Sequence, residues 1–221
     1  MKFEVRKALG WIITILLPFV ILMTAVRMLI TPTFAKVEYQ MPGFPEDKLG
    51  FSMNERLRWA TPSIKYLVNS EEITYLEALK FDDGSMIYNE RELSHMEDVK
   101  DLVQVATKVW LGCIALILLM ILLLDNLKAR GEIRKGFYRG GWASVGLVVG
   151  LLLLVAINFN ELFNWFHYVF FTGDTWLFLE SDTLIRLFPL RFWQDAFIFV
   201  GGFTIITGVL LLIFLRPKRR H

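Results

Sequence analysis

One segment of the chain reads VQVATKVWLGCIALILLMILLL, residues 103–124, and carries a single charged side chain, that of Lys108. A helix of this length crosses about 30 Å of hydrocarbon. Similar apolar segments lie at residues 8–30, 141–159 and 196–215. Hydrophobic residues make up 55% of the 221-residue chain and the mean hydropathy is +0.47, which excludes a water-soluble globular protein. We therefore predict an all-α polytopic membrane protein with four transmembrane helices.

Positive charge is concentrated at the two ends of the chain and between the second and third apolar segments. These three short segments hold twelve of the 24 Lys and Arg residues and only three acids. Because loops rich in Lys and Arg stay on the cytoplasmic side, both termini are predicted to be cytoplasmic. The basic rim is interpreted as a topology signal and not as a nucleic-acid site, so no nucleic-acid partner is predicted.

The spans and their orientation divide the chain into eight parts. They are the cytoplasmic N-terminus with the first span (1–30), an extracellular domain (31–102), the second span (103–125), a cytoplasmic loop (126–140), the third span (141–159), an extracellular interfacial segment (160–195), the fourth span (196–215) and a cytoplasmic tail (216–221). The two extracellular parts contain nearly all of the chain that could carry chemistry.

The two extracellular parts differ in composition. The domain at 31–102 is predicted to be mostly helical, with a helix at 46–69 that is interrupted near Pro62, because proline favours the start of a new helix. Residues 86–88 are predicted to form a brief extended stretch. The segment at 160–195 is rich in aromatic residues with polar residues between them, which is typical of headgroup depth and not of a fifth span. It is predicted to border a lipid-facing cleft.

The second span has a recognisable start outside the membrane. Asn89 is followed three residues later by Glu92, the pattern of a helix N-cap with an acid that reaches back to it. No helix-breaking residue occurs between Asn89 and Leu124. One helix should therefore begin in the extracellular domain and continue directly into the span.

Two histidines are the candidates for acid–base chemistry. His95 lies near Glu92 and Asp98 in sequence, and His167 lies near Glu161 and Asp174, each close to the extracellular end of a span. Two imidazoles at one membrane interface suggest a general base and its partner. Alternatively, each histidine only bonds to a local backbone carbonyl. A shared site requires the two rings to lie within about 10 Å of each other.

Other reaction machinery finds little support in the sequence. There is no His-Glu-x-x-His pair, no Gly-x-Ser-x-Gly elbow and no phosphate-binding glycine loop. Cys113 lies mid-span among apolar residues and is assigned to packing, while Ser63 and Ser94 are weakly supported nucleophiles. Two histidines and an acid could in principle hold a metal, but they lie in different segments and give no ligand-spacing signal, so we predict no metal site. His221 is the last residue of the basic tail and is set aside.

Four short runs of sequence carry a resemblance to a known family. They are ELSHMEDVK at 92–100, FHYVFFTGDTWLF at 166–178, LFP at 187–189 and FWQD at 192–195. Together with the four spans and the large outer loop, they closely resemble the lipoprotein intramolecular transacylases of low-GC Gram-positive bacteria. The resemblance covers essentially the whole chain.

What the resemblance implies is an acyltransferase of the bacterial cell membrane with its active site on the extracellular side. Its partners would be a diacylglyceryl lipoprotein, as substrate, and membrane lipid. The enzyme would move the sn-2 acyl chain to the α-amino group of the N-terminal cysteine and leave a lyso-form lipoprotein. Donor and acceptor belong to one molecule, so no cofactor would be consumed. The residues that match the family's essential pair are His95 and His167.

The chemistry of ester aminolysis assigns roles to these residues. His95 is assigned as the general base, oriented by Glu92 or Asp98, and His167 as the second proton carrier or oxyanion donor; the reverse assignment stays open. The other candidate donors are Arg91, Arg191, Tyr168 and Trp176. The aromatic segment would form a groove for the acyl chain.

Two other functions stay open from the sequence. One is a non-catalytic membrane assembly factor that binds a partner through its extracellular domain. The other is an acyltransferase that takes its acyl chain from a phospholipid, which would add one chain to the product instead of moving one within it.

Overall fold

The computed structural model describes residues 2–217, so Lys218, Arg219, Arg220 and His221 lie outside the described residues. Within the described part the regular structure is helical, apart from one isolated β-bridge between Lys80 and Met86. The predicted all-α class is confirmed. The helices are α1 (Lys2–Leu29), α2 (Pro32–Glu38), α3 (Met53–Tyr66), α4 (Thr74–Glu77), α5 (Glu90–Asn126), α6 (Arg130–Ile157), α7 (Phe159–Phe170), α8 (Thr183–Leu187) and α9 (Leu190–Phe214).

Four of these helices are long and apolar enough to cross a membrane, as predicted. They are the segments Phe3–Leu29, Glu90–Asn126, Arg130–Leu154 and Leu190–Phe214 of α1, α5, α6 and α9. Helix α5 has 37 residues and is about 55 Å long, well beyond the thickness of the hydrocarbon. Its apolar part is residues 103–124, so the charged residues before Val103 lie outside the span.

The start of α5 is fixed by the side chains that the sequence indicates. The Glu92 amide donates to Asn89 Oδ1 at 3.0 Å, and the Asn89 amide donates to Glu92 Oε2 at 2.9 Å. This reciprocal pair satisfies two N–H groups that a helix start otherwise leaves without partners. The prediction of one uninterrupted helix from this cap into the second span is confirmed.

The predicted break at Pro62 is wrong, because α3 begins at Met53 and continues through Pro62 to Tyr66. The Ser52 capping box with Glu55 sets its start. A proline inside a helix costs about 3 kcal/mol. Buried side chains on both sides of Pro62 outweigh that cost, since each fully buried large apolar side chain contributes about 1.5–3 kcal/mol. They are Trp59, Ile64 and Tyr66.

The chain divides into two compact units. The membrane unit comprises the described residues of Met1–Val26, Thr107–Ile157 and Ile198–His221. The polar unit comprises Arg27–Ala106 and Asn158–Phe197, and it contains both histidine motifs.

Within the membrane unit, α6 packs closely on α1. A Cβ atom at Gly136 would lie 2.7 Å from the Gly10 carbonyl oxygen, and one at Gly140 would lie 2.7 Å from Leu17 Cδ2. Only glycine permits such an approach of two backbones. This packing keeps residues from Arg130 onward helical, ahead of the predicted start of the third span at 141.

Within the polar unit, apolar side chains from α2, α3, α5 and α8 share one core. Tyr66, Leu76 and Leu187 are almost completely buried in it. The Tyr39 hydroxyl donates to the Leu187 carbonyl at 2.7 Å, which joins α2 to α8. Residues distant in sequence are thereby held around the histidines.

Candidate active site

The two histidines predicted to act together lie side by side in the polar unit. Their ring centroids are 6.0 Å apart and their planes differ by 24°. His95 lies on α5 and His167 on α7, and each is only 8% exposed. The distance satisfies the requirement for a shared site.

The local sequence of α7 sets the orientation of His167. Asn158 caps the helix, with its Oδ1 accepting from the Glu161 amide at 3.2 Å. Helical spacing then places Phe163 and His167 one turn apart, and His167 Nδ1 lies 2.7 Å from the Phe163 carbonyl oxygen. A carbonyl only accepts, so Nδ1 carries the proton and the lone pair of the neutral imidazole is on Nε2. The local carbonyl bond considered as an alternative role therefore does occur at His167, where it fixes the tautomer.

Aromatic rings enclose both imidazoles. The His167 ring contacts those of Phe163 and Trp176, with centroids 4.3 and 4.8 Å away. The His95 ring is met edge-on by Phe171 at 5.0 Å and by Phe178 at 5.2 Å. His95 Nδ1 is buried and has no hydrogen-bond partner among the described residues.

This enclosure keeps both histidines neutral near pH 7. Burial, and then the proximity of His167, lower the pKa of His95 to about 4. Burial also lowers the pKa of His167, but its hydrogen bond to the Phe163 carbonyl opposes that effect. His167 is therefore the stronger base of the two.

Acidification is expected to destabilise the fold in part through His95. An unfolded histidine has a pKa of about 6.5, so below this pH the unfolded chain takes up a proton that the folded protein does not. The free energy of unfolding then falls as the pH drops from 6.5 towards 4, by up to about 1.4 kcal/mol per pH unit.

Thermal unfolding of detergent-solubilised protein at about pH 7.5 and pH 5 tests this dependence. The control variant is His95→Phe, which keeps a ring against Phe171 and Phe178 but cannot take up a proton. It should lose less stability on acidification than the wild type. An equal loss in both proteins would contradict the expectation.

The acids predicted to orient His95 have other partners. Glu92 is 2% exposed, and its Oε1 accepts from the Leu184 amide at 2.7 Å, while its Oε2 accepts from Asn89. Asp98 is exposed and accepts from Thr175 Oγ1 at 3.4 Å. Among the described residues neither carboxylate forms a hydrogen bond with His95. Burial raises the pKa of Glu92, and the backbone amides it accepts from oppose that effect.

The two candidate arginine donors are each paired with an acid. Arg91 donates to Asp182 at 2.9 Å, and its guanidinium lies 6.0 Å from the centroid of the Phe178 ring. Arg191 donates to Asp195 at 2.5 Å at the start of α9. The structure therefore brings Arg91 close to a ring that touches His95, and gives Arg191 a partner one turn along its own helix.

The remaining candidates lie in or after α7. Trp176 is 7% exposed, and its indole Nε1 is buried and has no hydrogen-bond partner among the described residues. Tyr168 is 68% exposed and meets Trp176 edge-on at 5.1 Å. Asp174 is exposed. Of these three residues, only Trp176 contacts an imidazole directly.

Sequence reasoning missed Asp182, which organises this region. Its buried carboxylate accepts from Asn89 Nδ2 at 3.0 Å, from Arg91 and from the Leu179 amide at 2.8 Å. The available signal was its position directly before α8, where an aspartate favours a helix start. Its long-range partners could not be read from the sequence.

An open cavity of about 320 Å³ lies in the polar unit; neither histidine is among its lining residues, but Phe171, whose ring contacts that of His95, is one of them. Asp98 and Asp101 line it, together with apolar side chains that include Leu102, Val105 and Phe171. Residues 95, 98, 102 and 105 are spaced three or four apart, so they share one face of α5. The cavity thus combines carboxylates with an apolar wall.

A family model for the lipoprotein intramolecular transacylase Lit matches residues 11–193. The chain belongs to this family. It is accordingly a multi-pass membrane acyltransferase, a lipoprotein intramolecular transacylase. Among the residues the structure describes, no group of three or more His, Cys, Asp or Glu is arranged to hold a metal ion.

The fold is similar to that of the membrane-integral lipoprotein intramolecular transacylase Lit from Bacillus cereus, whose structure was determined in meso. The TM-score is 0.79 at 20% identity, and the match covers 96% of this chain and 95% of that one. Structures of the same Bacillus protein with a histidine-to-arginine or a histidine-to-alanine mutation each have a TM-score of 0.74. An uncharacterized protein of Aquifex aeolicus strain VF5 is 29% identical over 214 residues, which are 94% of this chain and 93% of that one.

Proposed function

We propose that this enzyme moves the sn-2 acyl chain of a diacylglyceryl lipoprotein to the α-amino group of the N-terminal cysteine, with His95 and His167 as its proton carriers. The observation that carries the proposal is the stacked, buried imidazole pair, in which the Phe163 carbonyl fixes one tautomer. The distribution of Lys and Arg along the chain supports an extracellular location for this site and cytoplasmic termini.

The reaction requires the transfer of a proton from the amine nitrogen to the glyceryl oxygen. The amine nitrogen attacks the ester carbonyl, a C–N bond forms, and the C–O bond to the glyceryl group breaks. One N–H proton must leave the nitrogen and reach the glyceryl oxygen, so that amine and ester become amide and alcohol. A neutral imidazole can take up this proton and then release it to the departing oxygen, which accelerates such a reaction by about 10²–10⁴-fold.

His167 suits the role of that base better than His95, which reverses the assignment favoured by the sequence. The lone pair of its imidazole is on Nε2, and the hydrogen bond from Nδ1 to the Phe163 carbonyl fixes the orientation of the ring. The same hydrogen bond opposes the lowering of the His167 pKa by burial. Burial and the neighbouring His167 lower the pKa of His95, and no hydrogen bond among the described residues fixes the tautomer of its ring. His95 then serves as the second proton carrier.

The residues around the histidines suit a substrate that carries both the ester and the amine. Because the ester and the amine belong to one molecule, holding them together supplies much of the entropy that a reaction of two molecules would lose. An α-amino group has a pKa of about 7.7–8.0, so a fraction is already neutral near pH 7. The carboxylates of Asp98 and Asp101 match an ammonium group, and the apolar wall of their cavity matches an acyl chain.

Mass spectrometry of a lipopeptide with two different acyl chains tests the proposal. The purified enzyme is mixed with a diacylglyceryl lipopeptide whose sn-1 and sn-2 chains differ in length. The expected product has unchanged mass, an amide bond to the former sn-2 chain and one remaining ester.

The other outcomes reject the proposal in different ways. A product heavier by one acyl chain, formed when phospholipid is added, would indicate a phospholipid donor. An amide with the sn-1 chain would overturn the sn-2 assignment. An unmodified lipopeptide would favour the assembly factor.

A further inference from the structure

The indole N–H of Trp176 is an unusual feature of the site. The side chain is 7% exposed, and Nε1 has no hydrogen-bond partner among the described residues. Nearly all buried polar groups in proteins are paired, because an unpaired donor loses its hydrogen bonds to water and gains none. Indole nitrogens elsewhere in this chain do find partners, since Trp193 Nε1 donates to the Phe188 carbonyl at 3.1 Å. An unpaired donor at this position therefore needs a functional explanation.

Its location supplies one. The centroids of the Trp176 and His167 rings are 4.8 Å apart, so the indole is in direct contact with the imidazole that we propose as the base. The other candidate donors are either paired with an acid or exposed to solvent. Arg91 is paired with Asp182 and Arg191 with Asp195, while Tyr168 is 68% exposed. Among the four candidate donors outside the histidine pair, Trp176 is thus the one that is both buried and unpaired; in the same site His95 Nδ1 is also buried and has no hydrogen-bond partner among the described residues.

The chemistry requires a donor here. When the amine attacks the ester, the carbonyl oxygen gains negative charge in a tetrahedral intermediate. A fixed N–H group in an apolar site stabilises this charge strongly, and it does so most when no other group competes for it. We infer that Trp176 Nε1–H donates a hydrogen bond to the carbonyl oxygen of the substrate ester as that oxygen becomes an oxyanion. The inference rests on the proposed transacylation.

Because Nε1 is buried, the inferred hydrogen bond requires a neighbouring side chain to move when the substrate binds. Tyr168 is 68% exposed and meets the Trp176 ring edge-on, with the ring centroids 5.1 Å apart. Exposed side chains change rotamer within picoseconds to nanoseconds. Rotation of Tyr168 would remove its ring from the indole without any change in the backbone.

The first test is Trp176→Phe, which removes the N–H and keeps an aromatic ring. We expect kcat to fall about 10²–10³-fold with KM changed little, as for the loss of one oxyanion donor. The thermal unfolding midpoint is measured as well, because the smaller phenylalanine ring leaves a cavity beside His167 that lowers stability whatever the role of the N–H group. A residue that only supports the fold would lose stability but keep kcat at temperatures below that midpoint.

Two further variants make the test decisive. Trp142→Phe is the matched control, since Trp142 lies on α6 outside the aromatic segment, is 57% exposed, and should keep wild-type kcat. If Trp176→Phe lowers the unfolding midpoint, β-(3-benzothienyl)alanine at position 176 replaces the N–H with sulfur and preserves the shape of the ring.

The outcomes separate this inference from the proposed function. A wild-type enzyme that forms the amide, together with a position-176 variant that retains kcat within about threefold, would overturn the inference alone. A wild-type enzyme that forms no amide would overturn the proposed function. Loss of kcat in the benzothienyl variant, with an unchanged unfolding midpoint, supports the donor role.

Discussion

Replacement of His167 by glutamine is expected to lower kcat for acyl transfer by about 10²–10⁴-fold, the usual contribution of a general base. A glutamine amide can still donate to the Phe163 carbonyl, as His167 Nδ1 does at 2.7 Å. It has no lone pair that takes up a proton near pH 7. The change therefore removes the base while it preserves much of the local hydrogen bonding.

Lipopeptide turnover by the His167→Gln, His95→Gln and doubly substituted enzymes measures this effect. We expect His95→Gln to lose less activity, since its pKa of about 4 suits a second carrier and not the base. The double variant should be no slower than His167→Gln, because residues that act as a unit are not additive. Glu77→Gln on α4 is the control, since Glu77 is exposed and lies outside the candidate site. A larger loss from His95→Gln would restore the assignment favoured by the sequence.

Local patterns predicted much of this fold. Apolar segments of membrane-spanning length identified four helices, because the hydrocarbon thickness sets that length. The Asn89 and Glu92 pair located the start of α5, since its hydrogen bonds join residues three apart. The histidine motifs gave the two residues of the candidate site, and their position at one membrane interface, together with the resemblance to a family, suggested that they meet.

Long-range partners could not be predicted from the sequence. The Leu184 amide that binds Glu92 and the core that holds α3 helical through Pro62 both depend on tertiary packing. Sequence proximity suggested that Glu92 would face His95, whereas the fold gives both of its carboxylate oxygens to backbone amides. The Phe163 carbonyl is local to His167, but a backbone acceptor leaves no signal in residue identity.

Substitution of Glu92 by leucine is expected to reduce the free energy of unfolding by about 2–4 kcal/mol. The change leaves the buried Leu184 amide and the part-buried Asn89 amide without their acceptor, and hydrogen bonds to charged groups contribute about 1.5–3 kcal/mol each. It also releases the start of α5 from α8. Thermal unfolding in detergent measures the loss, and Glu90→Leu, an exposed position in the same first turn, should change stability little.

A second substitution at position 92 distinguishes a structural role for Glu92 from the role of orienting His95 that the sequence suggested. Glu92→Gln keeps one carbonyl acceptor, so part of the capping survives and the protein can be assayed well below its unfolding midpoint. Because no hydrogen bond joins Glu92 to His95, we expect this variant to lose stability while the pH dependence of kcat stays that of the wild type. An orienting carboxylate would behave in the opposite way, since removing its charge beside an imidazole lowers the pKa of that imidazole. A shifted pH profile at unchanged stability would therefore assign Glu92 to the histidines and not to the junction of α5 with α8.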